Sequence, residues 1–190
     1  IGADPTLPEA EVIRSASVLL VDHHGLEGTL RAAQIARQHG VPVVADFERD
    51  PGPPFAELLA VTDHLIISER FARALAGDRQ SPVADIVNTL WKQHGDTVVV
   101  TCGSGGCWYA SAATAGRGMH FPAFIVDVVD TTGCGDVFHG AYCAGLVEGR
   151  DLPARIALAS ATAALKATRR GGQAGIPSRG AVEEFLSQVS

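Results

Sequence analysis

Seven consecutive residues, Asp130-Thr131-Thr132-Gly133-Cys134-Gly135-Asp136, bring together the groups that could handle a phosphoryl oxygen. Two glycines flank one small residue at the start of a helical pattern. Glycine lets the backbone approach a ligand closely and take positive φ. The N–H groups of a first helical turn lack intrahelical partners and point outward. With the helix dipole they form an anion site. A phosphoryl group in transfer spreads its charge over peripheral oxygens, and such donors stabilise it. Asp136 stands at the mouth of this cradle, where a carboxylate can take a proton from an attacking hydroxyl. The bare G-x-G-D string fits equally a glycine turn with an Asp cap and no ligand.

Other residues have chemical types worth weighing. Asp22-His23-His24 supplies metal-ligand types. Adjacent side chains on an extended segment point opposite ways, which favours a loop lining a cleft over a metal site. Asp46 could meet substrate or close a turn. Arg169-Arg170 precedes Gly171-Gly172 and reads as a solvated pair, with contact to phosphates as the alternative. His139 fits either the cleft or the helix surface. Trp91 and Trp108 read as packing. Cys134 has a reason to be reactive, since helix N-termini lower thiol pKa, but its size suits it to fill space.

These residues need elements to hold them. SVLLV (17–21), 41–45, 65–67 and 97–101 read as strands, with 107–110 a hairpin-like strand after the Gly103–Gly106 turn. Helical spacing predicts helices over 28–39, 55–60, 69–76, 82–94, 135–148, 153–168 and 178–189. Segment 112–118 reads as a loop. Strands alternating with helices predict one α/β domain over 1–190, a three-layer α/β/α fold with a mostly parallel central sheet and helices on both faces. Chemistry in such sheets gathers beyond the carboxyl ends of the strands, where Asp22, Asp46, Ser68 and Thr101 fall. Gly140, Ala141, Ala144 and Gly145 would let the helix behind the cradle approach a neighbour closely.

The 190 residues are 46% hydrophobic and 19% charged, which excludes a disordered tail or a coiled coil. The net charge of −6 argues against a nucleic-acid surface. No apolar run reaches the roughly 20 residues that span a bilayer. The four cysteines, at 102, 107, 134 and 143, include no C-x-x-C pair. Free thiols in a reducing, cytoplasmic setting are expected. The chain opens Ile-Gly-Ala-Asp and its one Met is Met119, so a piece of a longer protein is expected. A dinucleotide fingerprint fails from Gly103 at Trp108 and from Gly133 at Phe138, and no P-loop string occurs.

DTTGCGDVFHGAY (130–142) resembles the C-terminal signature of the ribokinase-like, phosphofructokinase B type carbohydrate kinases, usually D-T-x-G-A-G-D. Cys134 stands where that family mostly has Ala. VVVTCGSGGCWY (98–109), ATRRGGQAGIP (167–177) and VVADFERD (43–50) resemble further blocks of the family, in family order. The resemblance implies the ribokinase-like fold, with the N-terminal part and lid lacking. It implies Asp136 as the base that deprotonates a sugar hydroxyl for in-line attack on the γ-phosphate of ATP. It makes the N–H groups of Gly133, Cys134 and Gly135 the anion hole. Thr101, Gly103, Gly106, Gly171 and Gly172 would lie near the nucleotide. Mg²⁺ is implied, and a monovalent cation such as K⁺ near Asp130, the Thr132 carbonyl and carbonyls close to Gly172. The partner would be a small sugar, with neither nucleic acid nor membrane involved. Dimerisation in that family often uses the lid, which leaves a homodimer open for the complete protein.

One block departs. The family's Asn-x-x-Glu, which helps organise Mg²⁺, reads Ser68-Glu69-Arg70-Phe71 here, leaving Glu69 as the available carboxylate. That departure keeps a second hypothesis alive, a non-catalytic nucleotide-binding or regulatory module on the kinase fold.

Overall fold

The computed structural model describes residues 4–189. Its contacts divide the chain, read above as one domain, into two compact units. One runs to Cys102 and includes Cys107–His120; the other comprises Gly103–Gly106 and the residues from Phe121 onward.

The first unit holds a six-stranded sheet in the order β1-β2-β3-β4-β5-β6. The strands are β1 Leu19–Asp22, β2 Val43–Phe47, β3 His64–Ser68, β4 Thr97–Thr101, β5 Cys107–Ala110 and β6 Met119–Phe121. β1 to β4 are parallel and β5 runs antiparallel to β4. The helices are α1 Ala10–Arg14, α2 Leu26–Gln38, α3 Phe55–Ala60, α4 Glu69–Ala76 and α5 Val83–His94. The strand sequences β2 to β4 are nearly continuous apolar runs because a parallel strand is buried on both faces. Val21, Ala45, Leu65, Val98 and Ala110 face one way in register and join Leu30, Ala33, Ala36, Leu58, Phe71, Ile86 and Leu90 from the helices in one core. Each large apolar side chain buried there contributes about 1.5–3 kcal/mol. The strand order advances one step at a time, so right-handed crossovers put α2 to α5 on the same face within this unit. The alternate residues Val44, Ile66 and Val99 are also fully buried.

Two short elements depart from the sequence expectation. α1 and β6 arise where no apolar period was long enough to signal them. Elsewhere α3, α4, β4 and β5 have the expected limits, and the ends of the other elements lie within two residues of expectation. Turn chemistry explains the sharp ends: Gly77 and Gly95 close α4 and α5 in the left-handed region.

The second unit is built on α6 Cys134–Val147, α7 Leu152–Ala167 and α8 Arg179–Val189. Asp151 caps α7 through the Ala154 N–H at 2.9 Å, with Pro153 in the first turn. Leu158, Ala161 and Val182 pack with Phe124, Leu165 and Phe185. The small-residue expectation for α6 holds at Gly145, where a Cβ would lie 3.1 Å from Arg155 Cγ and 3.3 Å from Leu158 Cδ2 on α7. No helix among the described residues is long and apolar enough to cross a membrane.

Candidate functional site

The second unit gathers the cradle. Gly133 sits at φ +77° immediately before α6, a conformation that L side chains rarely adopt. This turn aims the first N–H groups of α6 at solvent. The Cys134 N–H is not one of the free donors, because it closes a tight turn onto the Thr131 carbonyl at 3.1 Å. That corrects the expected trio. The N–H groups of Gly133, Gly135 and Asp136 have no protein acceptor among the described residues. Asp136 is exposed in the first turn. A Cβ on Gly133 would lie 3.5 Å from Asp136 Oδ2 and 3.6 Å from Gly172 Cα. The carboxylate, the turn and the Gly171–Gly172 loop therefore border one small space.

Asp130 ties that space together. Its Oδ1 accepts the Thr132 N–H at 2.9 Å and its Oδ2 accepts the Gly171 N–H at 2.8 Å. These backbone bonds, with a smaller contribution from the Lys166 ammonium, hold its carboxyl well below the usual carboxylate range. Lys166, fully buried on α7, donates to the Asp130 carbonyl at 2.8 Å. No motif in the sequence singles out Lys166. Its signal was a lone Lys in the small, apolar run ALASATAALKA.

A cleft of about 330 Å³ opens beside Asp136, lined by Gly140, Ala141, Leu158, Ile176, Pro177 and Arg179 among others. Its walls are largely apolar, and Gly140 leaves its floor open. Arg179 is committed to Glu148 at 2.7 Å and Glu183 at 2.8 Å. Arg169 and Arg170 are exposed and form no ion pair among the described residues, as the solvated-pair reading expects.

Several other expectations resolve differently. His139 is neither in the cleft nor on the helix surface. It is buried, with Nδ1 2.8 Å from the Gly135 carbonyl. The Cys134 thiol is pushed up, not down, because burial outweighs the nearby Lys166 charge. Gly106 is explained by the chain itself, since a Cβ there would strike the Phe121 carbonyl and lie 2.6 Å from the Ala123 N. Gly103 opens the same turn and accepts the Gly106 N–H at 3.0 Å.

Thr101 and Glu69 belong to the first unit, at the carboxyl end of β4 and the start of α4. Thr101 is in register with Ser68. The Asn-x-x-Glu departure has a structural use there. Ser68 caps α4 by accepting the Phe71 N–H at 3.3 Å, and Phe71 is buried against Phe55. Glu69 Oε1 takes Arg73 at 2.8 and 2.9 Å. Its charge is offset, which fits a metal ligand poorly. Among the described residues no group of three His, Cys, Asp or Glu could hold a metal ion. In the Asp22-His23-His24 segment, Asp22 accepts the His24 N–H at 2.7 Å, a local turn.

A family model described as "pfkB family carbohydrate kinase" matches residues 3–179. The chain belongs to the pfkB family of carbohydrate kinases. This pfkB chain is 32% identical over 189 residues to the ribokinase of Haemophilus influenzae, covering 95% of itself and 59% of that protein. The ribokinase of Thermotoga maritima superposes with a TM-score of 0.82 at 29% identity, over 97% of this chain and 61% of that one. Arabidopsis thaliana ribokinase, solved with ribose and ATP, gives 0.83 at 26% identity, over 93% of this chain and 58% of that one. The fold is the α/β fold of these ribokinases, and the pfkB chain spans about three fifths of their length.

Proposed function

We propose that this chain is the nucleotide-binding and catalytic part of an ATP-dependent kinase that phosphorylates a hydroxymethyl group of a sugar or sugar-like alcohol. One observation carries the reading. An exposed carboxylate, Asp136, adjoins the free N–H groups of a left-handed Gly133 turn at the edge of an apolar cleft. In-line transfer needs a proton acceptor on one side of the migrating group and fixed donors around its oxygens.

Asp136 accepts the proton of the acceptor hydroxyl. The N–H groups of Gly133, Gly135 and Asp136 hold the phosphate oxygens, and α6 adds its dipole. Asp130 fixes the turn against the Gly171–Gly172 loop, so the donors are set before substrate arrives. The cleft bounded by Gly140, Leu158 and Ile176 offers room for a flat apolar base. Thr101, Gly103 and Gly106 are assigned to the nucleotide's surroundings on the family pattern. Mg²⁺ would supply neutralising charge to the β- and γ-phosphates. Glu69 is paired to Arg73, so Mg²⁺, when bound, would be met chiefly by nucleotide oxygens and water, as is usual for this ion.

The ribose in the Arabidopsis structure and the ribokinase relatives make a pentose the first acceptor to test. Asp136→Asn should lower phosphoryl transfer by at least about 10²-fold with ATP-analogue affinity unchanged by calorimetry. A variant with wild-type turnover would remove Asp136 as the base. Nucleotide binding by the unaltered protein with no turnover over a sugar panel would favour the regulatory-module reading, which the offset charge of Glu69 motivates.

A further inference from the structure

Lys166 is the one fully buried Lys or Arg among the described residues. A buried ammonium is costly unless oxygens surround it. Its Nζ lies 2.8 Å from the Asp130 carbonyl. The α-carbon of Gly175 faces its stem: a Cβ there would lie 3.2 Å from Lys166 Cε, and also 2.9 Å from the Gly171 carbonyl and 3.3 Å from that of Arg169. The ammonium thus reaches from α7 beneath the Asp130–Gly133 turn, on the side where the 169–175 loop brings its carbonyls.

That is where the family pattern puts a monovalent cation, and the residues present do not fit one. Both Asp130 carboxylate oxygens accept backbone N–H groups, and its carbonyl accepts Lys166. A monovalent ion needs several uncommitted oxygens and would be repelled by the ammonium already there. The position of Ile176, an apolar residue at the end of this loop, adds no oxygen ligand beyond its backbone.

We infer that the Lys166 side chain is the cradle's own cation, a positioning residue that clamps the Asp130–Gly133 turn to the 169–175 loop and makes the protein independent of K⁺. Thr132, next to Gly133, and Gly171 are both held through the Asp130 carboxylate, so the charge acts on the anion hole without touching the phosphate. The inference rests on the nucleotide reading for its effect on ATP, but its effect on stability does not need that reading.

The test compares the unaltered protein with Lys166→Ala in KCl, NaCl, ammonium chloride and choline chloride at one ionic strength. The unaltered protein should melt at one temperature in all four salts and bind an ATP analogue equally well. Lys166→Ala should melt lower in choline chloride and bind the analogue about tenfold more weakly, with KCl or ammonium chloride restoring much of both. Selective stabilisation of the unaltered protein by K⁺ would overturn the inference, as would a Lys166→Ala protein indifferent to the cation. If that variant does not fold, Lys166→Arg and thallium-205 NMR of the unaltered protein decide, a saturable thallium site being the overturning result. Absence of analogue binding in every salt would count against the nucleotide reading and leave the melting series to judge Lys166.

Discussion

The Asp130 carboxylate accepts the backbone N–H of Gly171 at 2.8 Å, joining residues 41 positions apart. The same carboxylate holds the Thr132 N–H at 2.9 Å. One side chain therefore sets the distance between the cradle turn and the glycine loop, and the geometry of the proposed anion hole follows from it.

Gly133→Ala should report on that geometry. The added Cβ meets only ordinary van der Waals contacts, 3.5 Å from Asp136 Oδ2 and 3.6 Å from Gly172 Cα, so the cost is the φ of +77°. A left-handed residue with a side chain costs about 1–2 kcal/mol. Urea unfolding should show that loss, and phosphoryl transfer should fall more than tenfold as the donors shift.

Phe71→Glu restores the family's residue type and should fail to help. Phe71 is 4% exposed, and its ring packs on Phe55 with centroids 6.1 Å apart. Emptying a buried Phe site costs about 3–5 kcal/mol before the charge is counted. Denaturant melts should show a loss of at least that size; a stable variant with tighter Mg²⁺ dependence would mean that α4 can turn this position outward.

Acid stability should depend on Glu148. Its bonds to Arg179 at 2.7 Å and Arg150 at 2.8 Å hold its carboxyl down from the ordinary 4.5 to about 2. A carboxylate lowered on folding stabilises fully above its unfolded value, and the contribution fades as pH falls from about 4.5 towards 2. Thermal melts between pH 6 and pH 2 should flatten in Glu148→Gln relative to the unaltered protein. Asp130 is lowered further, so its contribution should persist to more acid pH.

Thiol chemistry should be slow. Burial pushes Cys102 and Cys143 up to about 11, and the Cys134 thiol is raised as well. At pH 7.5 a thiol of that pKa is ionised in roughly one molecule in three thousand. Iodoacetamide labelling read by mass spectrometry should modify all three far more slowly in the folded than in the unfolded protein. Rapid labelling of Cys134 would mean that the helix N-terminus outweighs its burial.

Much of the fold is legible in the sequence alone. The apolar runs of β2, β3 and β4 announce themselves because a parallel strand has no wet face, and α2 and α5 show helical spacing because only one face of each meets the core. The cradle was legible for a similar local reason: the glycine turn and the helix it opens lie within seven residues. What the string 130–136 could not reveal is which of its N–H groups stay free, since the Cys134 bond to Thr131 depends on the turn's exact path. Nor could residue types reveal that Phe71 points into the core, that His139 is buried, or that Lys166 passes under the turn to Asp130. Those facts depend on which helix lies against which segment, and the partners are separated in the chain by as many as 41 positions. Local pattern encodes the backbone of the site; long-range packing decides where its charges end.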